Sequence, residues 1–297
     1  MITQELTSDL DVAEAGRVMM AQEVTKIIEH GAVICAGAEA TAVHEMRKAI
    51  RRTFTSFKLF GPYFEHGTLR NYKRGLRRIM RRLERSRDLT VFRLNLAAYK
   101  ESAAETLTDL QDYWQLQQVK ADDTLQRYLS DPKRQTFLAK YLDFTDTAGK
   151  GVLATADPWV PIKIAHVAPV VIYQRVAAVR AFCDHLDHAT DAQLHRLRIQ
   201  FKELRYSLQF FAPLMGDDIN DVLLSLKQSQ EHLGDLNDAR VALELLAEVQ
   251  GLETSVARYR TYQENELRRL VKTYLPVWQE FDQPQWRYNL AIAVGAL

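Results

Sequence analysis

The sequence predicts an all-α fold, and three observations carry that expectation. Apolar residues recur at intervals of three and four along nearly the whole chain. Twelve glycines and eight prolines make 20 of 297 residues, about 7%, against a usual ~12% for the pair. Leu, Ala, Arg, Glu and Gln, all good helix formers, are abundant. Sandwiches, barrels and Gly-rich nucleotide folds need turns that this composition withholds. A chain of this length makes one large domain or two of about 150 residues, burying roughly three quarters of its unfolded surface without a disulfide or metal.

The elements follow in order. Residues 13–30 place Val18, Met19, Val24, Ile27 and Ile28 at helical spacing, with Gly31 as the expected stop. Thr41 is the expected cap of a helix over 41–60, ended by Gly61-Pro62. A strongly basic helix is expected from about Thr68 past Leu96, then amphipathic helices over 102–120 and 122–143. Residues 145–161, with two glycines, two prolines and no clear period, read as a linker. The pattern then restarts, with helices expected over 162–186, 192–211, 217–233 and 237–274.

The restart resembles an internal repeat. His44, Arg47 and Arg51 match His195, Arg198 and Lys202 at an offset of 151. Leu76-Arg77 through Leu83 and Arg87-Asp88 match Leu226-Lys227 through Leu233 and Asn237-Asp238 at an offset of 150. Each half would run as a leading helix, a His/Arg helix, a cation-bearing helix ending at an (Arg/Asn)-Asp turn, and a closing helix. The simplest architecture is two four-helix bundles, residues 1–150 and 151–297, related by a pseudo-two-fold axis.

The net charge of +1 conceals segregation. Residues 44–93 hold 15 Lys/Arg against 4 Asp/Glu, a net of +11, leaving −10 elsewhere. On one helix face stand His44, Arg47 and Arg51, with Lys48 and Thr55 beside them. His195, Arg198, Lys202 and Arg205 form the equivalent stripe. A third row is Arg70, Arg74, Arg77 and Arg81, widened by Arg78, Arg82 and Arg85. Like charges so spaced repel by a few tenths of a kcal/mol per pair. A linear polyanion resolves the conflict, because guanidinium forks and ammonium groups match phosphate oxygens and a phosphate raises the histidine pKa. The competing reading is a solvated charged face, which the repetition of the stripe in both halves disfavours.

The repeated His-x2-Arg-x3-(Arg/Lys) helices resemble the CHAD family, the conserved histidine α-helical domain. The more specific match is His195 to Tyr206, followed by Gln230 to Asp238; the likeness spans essentially the whole chain. It implies a single domain of two four-helix bundles around a basic groove or pore that binds inorganic polyphosphate without catalysis. Carried over, the basic positions fall on His44, Arg47, Arg51, Arg52 and Arg77, and on His195, Arg198, Lys202, Arg205 and Lys227. Phe54 stands where the second half has Arg205, and Glu84 where it has Gly234. The first half is therefore expected to recruit Arg74, Arg78, Arg81 and Arg82. Asp88 and Asp238 are expected to brace a neighbouring arginine. No strand-rich tunnel-enzyme segment accompanies the helices, so a stand-alone module is expected.

Other signals are weaker. His185-x2-His188 with His195 has no Cys or carboxylate at a metal-site interval, so exposed histidines at a helix end are the preferred reading and no metal or cofactor is expected. His30, His66 and His166 have no partners in sequence, and the four tryptophans are expected in cores or at helix ends. The chain holds no Gly-rich phosphate loop, nucleophile elbow or H-E-x-x-H. Paired carboxylates are not evident beside the basic stripe, which argues against phosphotransfer. Two unrelated cysteines, no signal-like start and no apolar membrane run lead to the expectation of a cytoplasmic protein, with polyphosphate granules as a further expected location. Three rivals stand beside polyphosphate. One is RNA or single-stranded DNA, disfavoured because aromatics do not interleave with the basic rows. Another is a phosphohistidine or metal-dependent phosphate enzyme using His44 or His195. The third is scaffolding through acidic faces such as residues 101–123.

Overall fold

The computed structural model describes residues 6–37, 40–103, 106–154 and 159–297. The first five residues, part of the 145–161 linker and two positions in the 101–123 segment lie outside these. Among the described residues the chain is all α-helical, with two isolated β-bridges. The helices are α1 (Val12–Gly37), α2 (Ala40–Phe60), α3 (Arg70–Ala103), α4 (Thr108–Ser130), α5 (Pro132–Asp146), α6 (Ile164–Arg180), α7 (Asp191–Phe211), α8 (Ile219–Leu246), α9 (Glu253–Lys272), α10 (Tyr274–Phe281) and α11 (Pro284–Gly295). No described helix is long and apolar enough to cross a membrane.

Packing follows chain order in both halves. Helix α1 lies on α2, α2 on α3 and α3 on α4; α6 lies on α7, α7 on α8 and α8 on α9. Across the halves α2 packs on α7 and α3 on α8. Helices α2, α3, α8 and α7 therefore form a closed circuit of pairwise contacts. Two apolar cores hold it. The larger draws on both halves, and within it Phe60 of α2 meets Phe210 and Phe211 of α7 edge-on at 6.2 and 6.3 Å. The smaller joins Leu89, Phe92 and Leu96 of α3, with Trp114 of α4, to Leu245 and Leu246 of α8 and Tyr259 of α9. Ion pairs also cross the halves, Lys58–Glu203 at 2.6 Å and Arg85–Glu248 at 2.8 Å.

Several boundaries differ from expectation. Gly31 does not stop α1, which runs on to Gly37, where φ is +144° and the helix ends in a backbone region that favours glycine. Helix α2 begins at Ala40, so Thr41 lies inside it. The expected break near residue 121 falls instead at Asp131-Pro132. There the Asp131 carboxylate accepts from Lys133 N at 2.8 Å, and Pro132 fits the first turn, where no N–H is needed. The (Arg/Asn)-Asp segments are not turns, because Arg87-Asp88 and Asn237-Asp238 lie within α3 and α8. Gly234 is tolerated mid-helix at a cost of about 1 kcal/mol. The expected 237–274 helix breaks after Leu246 and resumes at Glu253, and the last quarter of the second half adds α10 and α11. Residues 183–188 are 3-10 rather than α. Trp114, Trp278 and Trp286 are buried, whereas Trp159 is 90% exposed.

Candidate functional site

The four helices of the circuit line an open cavity of about 880 Å³. Its position follows from helix phase. On α7 the buried stripe is Leu194, Leu197, Phe201, Leu204 and Leu208, and the cavity residues His195, Arg198, Lys202, Arg205 and Gln209 each stand one residue further on, with Tyr206 beside them. One residue is a rotation of about 100°, so these side chains leave the core edge and project into the space between helices. Helix α2 repeats the relation, with Val43, Met46 and Ile50 buried and His44, Arg47 and Arg51 in the lining. A capping box of Thr190 and Gln193 fixes the start of α7 just ahead of His195.

Eight of the sequence candidates thus meet in one cavity: His44, Arg47, Arg51, His195, Arg198, Lys202, Arg205 and Lys227. The other six do not line it. Arg52 turns the other way, standing 3.2 Å from the buried Glu23 and 5.7 Å over the Phe210 ring. Arg82 lies 4.0 Å over the Tyr128 ring. Arg74, Arg77, Arg78 and Arg81 are exposed on α3. Arg77 and Arg81 share a stripe with Glu84 and Asp88, but lie one to two turns beyond the cavity's rim. The cavity is lopsided. Its lining runs from residue 227 to 244 on α8, about 26 Å of helix, and only from 84 to 91 on α3, about 10 Å.

Three cations of the lining were not among the candidates, namely Lys48, Arg87 and Arg240. Six carboxylates join them: Glu84 and Asp88 from α3, and Glu231, Asp235, Asp238 and Glu244 from α8. This corrects the expectation that carboxylates are lacking beside the basic stripe. Cations dominate the α2 and α7 walls, whereas α3 and α8 carry both signs. Asp88 approaches Arg47, and Glu84 approaches Arg51, each at 4.0 Å, while Lys227 pairs with Glu231 at 3.5 Å and Arg240 with Glu244. The bracing expected of Asp88 is therefore present as a long contact. No group of three or more His, Cys, Asp or Glu among the described residues could hold a metal ion.

The cationic walls are poorly satisfied. Nε of Arg47, Arg198, Arg205 and Arg240 and Nδ1 of His195 are buried with no hydrogen-bond partner among the described residues. Arg205 is nonetheless oriented, donating to Gln230 Oε1 at 2.8 Å, while Gln230 Nε2 donates to the Phe201 carbonyl at 2.8 Å. Burial, reinforced by Arg51, lowers the Arg47 and Arg198 guanidiniums to about 10. Burial together with Arg51, Arg198 and Arg47 lowers the Lys202 ammonium to about 6. Burial and then Arg87 lower the His44 imidazole, and burial and then Arg240 lower that of His195. Burial raises the Asp88 carboxyl even beside Arg47. A buried, mutually repelling set of donors with unpartnered N–H groups has the chemistry to accept anionic oxygens.

No curated protein matches the sequence. A CHAD domain from the plant Ricinus communis superposes with a TM-score of 0.70 at 20% identity, covering 100% of this chain and 96% of that one. PptA from Streptomyces chartreusis superposes with a TM-score of 0.67 at 16% identity, covering 91% of this chain and 100% of that one. The profile of the CHAD domain matches residues 18–247, a span that includes all four cavity helices, and the chain belongs to the CHAD domain family.

Proposed function

We propose that the cavity binds inorganic polyphosphate and that the protein acts as a non-enzymatic binding module. One observation carries the reading: eight cationic candidates from two distant stretches converge on one cavity, where Nε of Arg47, Arg198 and Arg205 and Nδ1 of His195 are buried with no hydrogen-bond partner among the described residues. Phosphate oxygens supply those acceptors in a repeating series, as a helical row of arginines requires. The carboxylates on α3 and α8 limit the net charge, and of these Asp88 and Glu84 of α3 stand 4.0 Å from Arg47 and Arg51. A nucleic acid would want aromatic faces on which bases stack, and the single aromatic of the lining is Tyr206.

The test is a titration with polyphosphates of defined length across a salt series. With about eight phosphates neutralised, affinity falls by roughly three decades between 50 and 200 mM salt. Charge reversal at Arg47 and Arg198 abolishes binding while helicity is retained. Salt-independent affinity, or an oligonucleotide displacing polyphosphate at lower phosphate concentration, overturns the reading.

A further inference from the structure

Of the three lysines in the cavity lining, Lys48, Lys202 and Lys227, Lys202 is the one with no carboxylate within 4 Å among the described residues. Lys26, Lys48, Lys58, Lys150, Lys163 and Lys227 each have a carboxylate within 4 Å. Lys202 lines the cavity, half-buried, with no ion pair or hydrogen bond among the described residues. It stands one turn along α7 from Arg198 and across the α2–α7 contact from Arg47 and Arg51. Three guanidiniums thus line the cavity beside an amine that pairs with no carboxylate among the described residues. A desolvated amine beside other cations sheds its proton near neutral pH and becomes a nucleophile, and the same guanidiniums are ready to hold a phosphate next to it.

We propose that Lys202 is a site of covalent acylation by acyl phosphates, whose phosphate is held by Arg47, Arg51 and Arg198 while Nζ attacks the acyl carbon. The inference rests on the anion-binding reading of the cavity. The N–C bond forms as the C–O bond to phosphate breaks, the electron pair leaves on inorganic phosphate, and the amine proton passes to that phosphate or to water. No redox partner is required. The product amide cannot regain a charge, so the cavity loses one cation for good and polyphosphate binding weakens. The modification therefore couples the supply of activated acyl groups to the occupancy of the cavity.

The experiment is incubation of the whole protein with acetyl phosphate at pH 7.5, followed by intact-mass and peptide-mapped rates for each lysine. At this pH the neutral fraction of Lys202 exceeds that of an ordinary lysine by about a thousandfold. Lower basicity takes part of this back, leaving a rate advantage of roughly tenfold over the exposed Lys120 and Lys140. The Lys202 rate is expected to be flat between pH 7 and 9, while the exposed lysines accelerate. Pyrophosphate in excess suppresses it. Equal or slower labelling of Lys202 than of Lys120 overturns the proposal. Polyphosphate binding is measured on the same sample. Binding without preferential labelling refutes acylation alone, whereas loss of binding in the unlabelled protein refutes the cavity reading beneath it.

Discussion

Replacing Lys202 with arginine separates a proton-linked site from a merely basic one. In the free protein Lys202 is lowered from 10.5 to about 6 by burial and by Arg51, Arg198 and Arg47, with only Asp238 opposing. At pH 7.5 the amine is thus mainly neutral. A polyanion entering the cavity reverses the local field and restores the ammonium. Between the free pKa and the higher bound pKa, binding takes up about one proton, so affinity falls about tenfold per pH unit, or ~1.4 kcal/mol. Below the free pKa both states are charged and the slope vanishes. Arg47 and Arg198, at about 10, stay charged throughout. His44 and His195, both lowered, add slope only at the acidic end. Polyphosphate affinity at fixed ionic strength should therefore drop by about two decades from pH 6.5 to 8.5, and Lys202→Arg should flatten the profile. A flat wild-type profile, or the same slope in the variant, would refute the reasoning.

Three further outcomes are expected. Arg52→Ala leaves polyphosphate affinity within about twofold, yet it strips a partner from Glu23, which is 2% exposed, and costs about 2–4 kcal/mol in denaturant unfolding. Arg77→Ala with Arg81→Ala weakens binding by less than about tenfold, whereas Arg198→Ala alone exceeds that loss in the same titration. Gly75→Ala would set a Cβ 2.2 Å from the Phe137 ring and lower stability by about 1–3 kcal/mol. Gly234→Ala meets nothing within 4 Å and raises stability by up to ~1 kcal/mol through helix propensity, so thermal melts should move in opposite directions.

The rows on α2 and α7 were legible because a cation at each position just after a buried residue is a pattern that one sequence carries. Arg47 and Arg198 needed no neighbour to identify them. On α3 the density of arginine hid the distinction that matters, since nearly every turn offers a cation and only the ends of the cavity decide which are used. The segment with a net charge of +11 consequently supplies just Arg47, Lys48, Arg51 and Arg87 to the lining, and the less basic second half supplies a longer wall. Arg240 was missed for a related reason. Reading Gly234 and Asn237-Asp238 as a turn cut α8 short, placing Arg240 and Glu244 in a different helix from Lys227. The carboxylates were not placed beside the His/Arg rows because those rows lie on α2 and α7, whereas the carboxylates stand on α3 and α8 and reach the cavity through packing.

The closed circuit of α2, α3, α8 and α7 has a consequence for the lifetime of the protein. Because two walls come from each half of the chain, separating the halves means parting both the α2–α7 and the α3–α8 joints. Electrostatic repulsion inside the circuit favours that opening, and a bound anion opposes it. Occupancy at a hundred times the dissociation constant is worth about 2.7 kcal/mol of resistance to unfolding. On the proposed function, the chain without its ligand unfolds more readily than the occupied chain, and is the more open to proteolysis.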